Sequence, residues 1–110
     1  MPAEYVTTND DTSLLCKMVG EGPPLLLVHG WSGSQDYFQL NVPALSSSFK
    51  VVTYDQRFHG GSDKPQHGHH VARLAADMRD VIKSLKLDNI VVVGTSMVRT
   101  PFFGASGPVV

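Results

Sequence analysis

At 110 residues, with 42% hydrophobic and 17% charged residues and a formal net charge of -1, the chain has the size and balance of a single globular domain. That balance excludes the basic footprint of a nucleic-acid binder and the like-charge block of a membrane-surface tail. Cys16 is the sole cysteine, so an internal disulfide and a Cys-rich zinc site are excluded as well.

Residues 5–19 read as two short strands joined by a turn at Asn9-Asp10-Asp11, where Asn and Asp side chains favour tight turns. Gly20-Glu21-Gly22-Pro23-Pro24 interrupts regular structure. Residues 25–28 are an unbroken apolar run ending in His29-Gly30, the pattern of a strand buried on both faces. A broken helix is predicted over 36–47, with a new start at Pro43, a residue tolerated in a first turn. Residues 51–54 form a second buried strand, followed by a glycine-bearing loop to about Gly68. Val71, Leu74, Met78, Val81, Ile82 and Leu85 recur at three- and four-residue spacing, which predicts a helix over 71–85 with one apolar face. Asp88-Asn89 is read as the stop, and residues 90–93 are a third buried strand running into Gly94. A hairpin followed by buried strands alternating with helices predicts an α/β fold, its parallel sheet covered on both faces. From Val98 the pattern changes: residues 98–110 hold prolines and glycines and no surface-helix periodicity, so the organisation is read as 1–97 plus an atypical tail. No apolar leader opens the chain, and no apolar run nears the roughly 18 residues of a membrane span. A cytoplasmic location with no membrane partner is expected.

The chemistry-bearing pattern is Gly94-Thr95-Ser96-Met97-Val98 at the end of a buried strand. A G-x-S-x-G pentapeptide there forms a sharp strand-to-helix turn that lifts the serine hydroxyl clear of the sheet. Gly94 meets the need for a small residue two before the serine, and Val98 departs from it two after. His29-Gly30-Trp31 stands after the strand that would lie beside this one. A backbone N–H just past such a strand joins the N–H after the nucleophile to hold an oxyanion, which assigns the two donors to Trp31 and Met97. His29 on its own reads as a structural histidine. Asp55 and Arg57 read as members of local charge pairs, His67, His69 and His70 as an exposed loop rather than a metal site, and Cys16 as a small buried apolar residue.

Taken together, Leu26-Leu27-Val28-His29-Gly30-Trp31, Tyr54-Asp55-Gln56-Arg57-Phe58-His59-Gly60-Gly61-Ser62-Asp63-Lys64-Pro65 and Val92-Val93-Gly94-Thr95-Ser96-Met97 resemble the α/β-hydrolase family, in its esterase, haloperoxidase-like and epoxide-hydrolase-like branch. The resemblance runs from Tyr5 to Met97 and departs at Phe58, where the family usually has glycine, and at Gly61, where a larger residue is common. It implies an incomplete α/β-hydrolase sheet: an N-terminal hairpin plus about three parallel strands with flanking helices. Dehalogenases and epoxide hydrolases of this fold use aspartate at the elbow, whereas Ser96 implies acyl transfer on a small ester-type substrate. The resemblance assigns Ser96 as nucleophile, Trp31 and Met97 as backbone oxyanion donors, and His29 and Gly30 as residues that shape the oxyanion loop. It implies no cofactor and no metal.

The family's triad follows the chain order nucleophile, acid, histidine. All five histidines here precede Ser96, and no Asp, Glu or His follows it. The pattern therefore reads as a truncation just after the elbow, with an inactive isolated chain expected. A non-catalytic binding or regulatory fragment of the same fold is the alternative. The strand over 90–93 is then expected to be an open edge through which copies of the chain self-associate.

Overall fold

The computed structural model of the chain describes residues 3–30, 34–65 and 71–94. Its strands are β1 (Ala3–Thr7), β2 (Ser13–Val19), β3 (Pro24–Val28), β4 (Lys50–Tyr54) and β5 (Val91–Gly94), ordered β1-β2-β4-β3-β5 in one sheet. β1 and β2 form an antiparallel hairpin, β2 runs antiparallel to β4, and β4, β3 and β5 are parallel. The expected hairpin and three parallel strands are thus present, and the hairpin continues the same sheet. At its turn, the Thr8 N–H donates to the Thr12 carbonyl at 2.9 Å and the Asp11 N–H to the Thr8 carbonyl at 3.0 Å. Asp11 sits at φ +63°, a left-handed conformation that aspartate tolerates. Gly20, at φ +89°, lies so close to the Ser46 and Phe49 carbonyls that no Cβ fits there.

The parallel strands are buried on both faces because each face meets a helical layer. On one side Leu26, Val28, Val52, Tyr54 and Val92 join Met78 and Val81 of α2 (Val71–Ser84). On the other, Leu25, Leu27 and Val51 meet Phe38 and Val42. Full burial of each such side chain is worth roughly 1.5–3 kcal/mol, so Leu74, Met78 and Val81 hold α2 more firmly than surface pairs could.

Two local differences from the sequence expectation have physical causes. The segment over 36–47 is a 3₁₀ turn (Gln35–Phe38) and one short helix, α1 (Val42–Leu45), with Pro43 in the first turn. The 3₁₀ turn begins at Ser34, whose Oγ accepts the Asp36 N–H at 3.2 Å. The helix over 71–85 ends before Asp88-Asn89, at Lys86, which sits at φ +55°. There the Lys86 N–H donates to the Lys83 carbonyl at 3.2 Å and the Leu87 N–H to the Ile82 carbonyl at 3.0 Å. This is a Schellman stop, a position glycine usually takes. Leu87, buried beneath it, supplies the apolar contact that accompanies the motif. Cys16 is fully buried, as expected, and burial pushes its thiol up to about 12.

Candidate active site

The parallel register fixes where chemistry can occur. Val28 pairs with Tyr54 on one side and with Gly94 on the other, so β4, β3 and β5 end level with one another. His29-Gly30 and Asp55-Gln56-Arg57, leaving those strands, therefore share one crest at the carboxyl ends with Gly94. In open α/β sheets that crest is where ligands bind. Gly30, and Gly94 two residues before Ser96, stand on it. Trp31, Ser96 and Met97 lie outside the described residues, as do His67, His69 and His70.

His29 is fully buried and serves the backbone on both ring nitrogens. Its Nε2 accepts the Gln56 N–H at 2.9 Å, so the ring proton sits on Nδ1, which donates to the Gly30 carbonyl at 2.7 Å. The Gln56 side-chain amide returns a hydrogen bond to the His29 carbonyl at 2.8 Å. The ring meets His59 edge-on, with centroids 5.0 Å apart. Burial holds the His29 imidazole below its ordinary pKa; His59 lowers it further, while the Gly30 hydrogen bond and Asp55 oppose. The expectation of a histidine satisfying backbone groups is met, and one of those groups is the carbonyl of Gly30.

Asp55 ties two loops to the end of β4. Its carboxylate accepts the Gln35 N–H at 2.8 Å and the Gly61 N–H at 2.9 Å. Its carbonyl accepts the Ser62 hydroxyl at 2.5 Å, and Ser62 Oγ accepts the Leu15 N–H at 2.8 Å. Gln35 completes the array, donating from Nε2 to the Leu15 carbonyl at 3.2 Å and accepting the Thr53 hydroxyl at 2.7 Å. Gly60, at φ +51°, lies against this carboxylate so closely that a Cβ would collide with it.

Arg57 departs from the expectation of a local pair. Its side chain is wholly buried, and its partners come from distant segments. Nε and Nη2 reach Asp77 of α2 at 2.6 and 2.7 Å, and Nη2 reaches Asp10 of the hairpin turn at 3.0 Å. Arg73 joins from α2, 3.0 Å from Asp77, at the four-residue spacing visible in the sequence. The Arg57 hydrogen bond, first among several, holds the Asp10 carboxyl far below the usual carboxylate range. Burial opposes the Arg57 charge, yet the hydrogen bonds it donates to Asp77 and Asp10 raise its pKa overall. Phe58, at the family's glycine position, takes the left-handed conformation glycine would adopt, φ +74°, and its N–H donates to the Asp63 carbonyl at 2.9 Å.

Sequence reasoning missed Gln35, Gln56, Ser62, Asp10 and Asp77 as members of these arrays. Asp77 left a signal: it interrupts the apolar face of Leu74, Met78 and Val81, so a buried carboxylate was implied. Among the described residues, no group of three or more His, Cys, Asp or Glu side chains is arranged to hold a metal. No helix among them is long and apolar enough to cross a membrane.

A doubly covered mixed sheet with its polar residues gathered where three parallel strands end defines the α/β hydrolase class. The profile of the alpha/beta hydrolase fold family matches residues 23–97, and the chain belongs to that family. It is 36% identical over 93 residues to a non-heme haloperoxidase of Rhodococcus erythropolis, covering 84% of this chain and 34% of the relative. To a soluble epoxide hydrolase of Corynebacterium sp. (strain C12) it is 37% identical over 75 residues, covering 68% of this chain and 26% of that one. An esterase of Exiguobacterium antarcticum superposes with a TM-score of 0.90 at 26% identity, over 97% of this chain and 42% of its own. The chain thus spans about a third of the length of the curated relatives it matches.

Proposed function

We propose that the chain carries the nucleophile-bearing part of a serine hydrolase that transfers acyl groups from a small ester-type substrate. Ser96 is the nucleophile, the backbone N–H groups of Trp31 and Met97 are the oxyanion donors, and His29 and Gly30 shape the loop between them. The observation that carries this reading is the parallel pairing of β3 with β5, which sets Val28 beside Gly94. The stretch beginning at His29 and the stretch leading to Ser96 then emerge side by side, as a nucleophile turn and its oxyanion loop must. Serine at the elbow, where epoxide hydrolases of this fold carry aspartate, favours ester-type chemistry over epoxide opening. Serine acyl transfer needs no metal or cofactor.

No general base is available to Ser96 from the residues that follow it, because none of them is Asp, Glu or His. In a studied serine protease, loss of the triad histidine costs on the order of 10⁶ in rate. The 110-residue chain by itself is therefore expected to be inert toward a fluorophosphonate probe and toward short p-nitrophenyl esters, matching a Ser96→Ala control. Stoichiometric labelling of Ser96 in this chain at neutral pH would overturn the expectation and demand a base from upstream. The hydrolase reading is tested on the coding sequence downstream of the Met97 codon. A small residue two after the serine, then Asp and His in family order, should give a longer polypeptide whose Ser96 labels and turns over esters.

A second reading, a non-catalytic binding or regulatory fragment of the fold, would be selected by a downstream sequence without those motifs.

A further inference from the structure

We infer that the chain carries a second small-molecule site, a recess over β2 and β4 that takes a short aliphatic monocarboxylate. It uses none of the residues proposed for ester cleavage, so it does not rest on the hydrolase reading. Side-chain alternation places it on the sheet face opposite α2. Val51 and Val19 pack on that face, so Thr53 and Lys17, two residues from each, share it, and the two pair directly across the strands. The 3₁₀ turn and α1 bound the recess, which holds about 220 Å³. That is below the roughly 300–1,000 Å³ of sites for drug-sized ligands, so the occupant is a molecule of few carbons.

The lining selects the chemistry. Gln35 and Thr53 are buried, and their side chains bond to each other at 2.7 Å, so they offer an occupant no charge. Val42 and Pro43 of α1 add an apolar wall suited to an alkyl chain. Lys17 supplies the cation, with its side chain 33% exposed. Its ion-pair partner is Asp36 at 3.9 Å, beyond hydrogen-bonding distance, and the Asp36 side chain is 73% exposed. Among the described residues, no group accepts a hydrogen bond from the Lys17 ammonium. A half-buried cation held so loosely gains from a carboxylate that approaches within hydrogen-bond reach. Gln39, also in the lining, offers amide N–H groups to the second carboxylate oxygen. The Asp36 charge opposes a dianion, so phosphate and dicarboxylates are disfavoured. One negative charge on an apolar tail matches both the ammonium and the wall.

The test is a titration of the isotope-labelled 110-residue chain with sodium butyrate at constant ionic strength. Butyramide, n-butanol and butylammonium chloride, which share its alkyl chain, are titrated in parallel. Butyrate should bind saturably in the millimolar range, the weak affinity that so few contacts allow. It should shift the amide signals of Gln35, Gln39 and Thr53 and leave those of Val81 and Ile82, packed on the other face, in place. Lys17→Met should weaken binding by roughly 10-fold or more, the factor carried by one charge-assisted hydrogen bond. Lys17→Arg should retain it. Asp36→Asn should tighten it by about 2- to 5-fold, because butyrate no longer competes with a loose, exposed partner for Lys17.

The absence of a saturable shift with butyrate overturns the inference. So does equal binding of butyramide or n-butanol, since the recess would then select an alkyl chain without its charge. Stronger binding of butylammonium also rejects it and assigns the recess to Asp36. Shifts spread over the whole chain at the same butyrate concentrations reject a defined site. Where Lys17→Met fails to fold, the comparison of butyrate with butyramide on the unaltered chain decides, together with Asp36→Asn, whose exposed side chain contributes nothing to the core.

Discussion

The buried ion pair between Arg57 and Asp77 allows a sharp quantitative test. Asp77→Asn keeps the shape of the side chain and removes its charge. In the native chain Asp77 accepts from Arg57 Nε at 2.6 Å, from Arg57 Nη2 at 2.7 Å and from Arg73 Nε at 3.1 Å. The asparagine amide would turn a donor toward at least one of these donors, and would leave a wholly buried guanidinium with Asp10 as its one remaining carboxylate. Breaking a buried pair from one side costs about 3–5 kcal/mol, a large share of the roughly 5–15 kcal/mol that holds a small domain together. The reverse holds for removing both charges. Arg57→Met with Asp77→Leu leaves no uncompensated ion, and Asp10 keeps Arg73 3.8 Å away. The double variant is expected to lose less stability than either single one, a strongly non-additive cycle. Urea unfolding at low protein concentration, in low and high salt, measures the native chain, Asp77→Asn, the single variants Arg57→Met and Asp77→Leu, and the double variant. Asp36→Asn is the control, since Asp36 meets Lys17 at 3.9 Å with its side chain 73% exposed and should cost no more than about 1 kcal/mol. An Asp77→Asn cost below about 1 kcal/mol, or one abolished by salt, would refute the reasoning.

Three further outcomes are expected. Burial lowers the His29 pKa, so the unfolded chain takes up that proton first; its contribution is complete above the unfolded value near 6.5 and lost as pH falls below it, a slope that His29→Asn should remove from a stability-versus-pH curve. Cys16 behaves oppositely: with its folded pKa pushed to about 12 against an ordinary 9.0, stability should decline as pH rises above 9.0, and Cys16→Ala should flatten that decline while lowering stability overall. As a separate polypeptide, the chain is expected to self-associate through β5, one of the two outermost strands among the described residues, whose Val91-Val92-Val93 run carries no guarding charge or proline; size-exclusion chromatography should show concentration-dependent oligomers that Val93→Lys reduces, and a monomer at all concentrations would refute it.

How far the fold was legible depends on where each element's information resides. β3 and β5 were readable as unbroken apolar runs, β4 as a largely apolar run interrupted at Thr53, and α2 because one face alone is buried. The end of α2 was read to within a residue, but its stop was assigned to Asp88-Asn89, since Lys86 in a left-handed conformation looks like any surface lysine. The 3₁₀ turn is similar: Gln35 is held by Asp55, Leu15 and Thr53, three partners far away in sequence. Asp55 and Arg57 were visible as charges at a strand end, but the identity of their partners was not, because loop contacts carry no period. That His29 satisfies backbone groups was legible, while the choice of Gly30 and Gln56 as those groups emerges only in three dimensions.

The arrays around His29 and Asp55 are complete. Both ring nitrogens of His29 and both carboxylate oxygens of Asp55 have partners, drawn from separate loops. Among the described residues, the buried side-chain atoms without a partner are Tyr54 Oη and Arg57 Nη1, and neither belongs to those two arrays. In a low-dielectric interior a satisfied network resists distortion, because moving any member orphans another at a cost of about 1–3 kcal/mol. The loops beginning at His29, Gln35 and Asp55 therefore behave as one body. The order of the crest where β3 and β4 end thus depends on Gln56 and Asp55 as much as on His29.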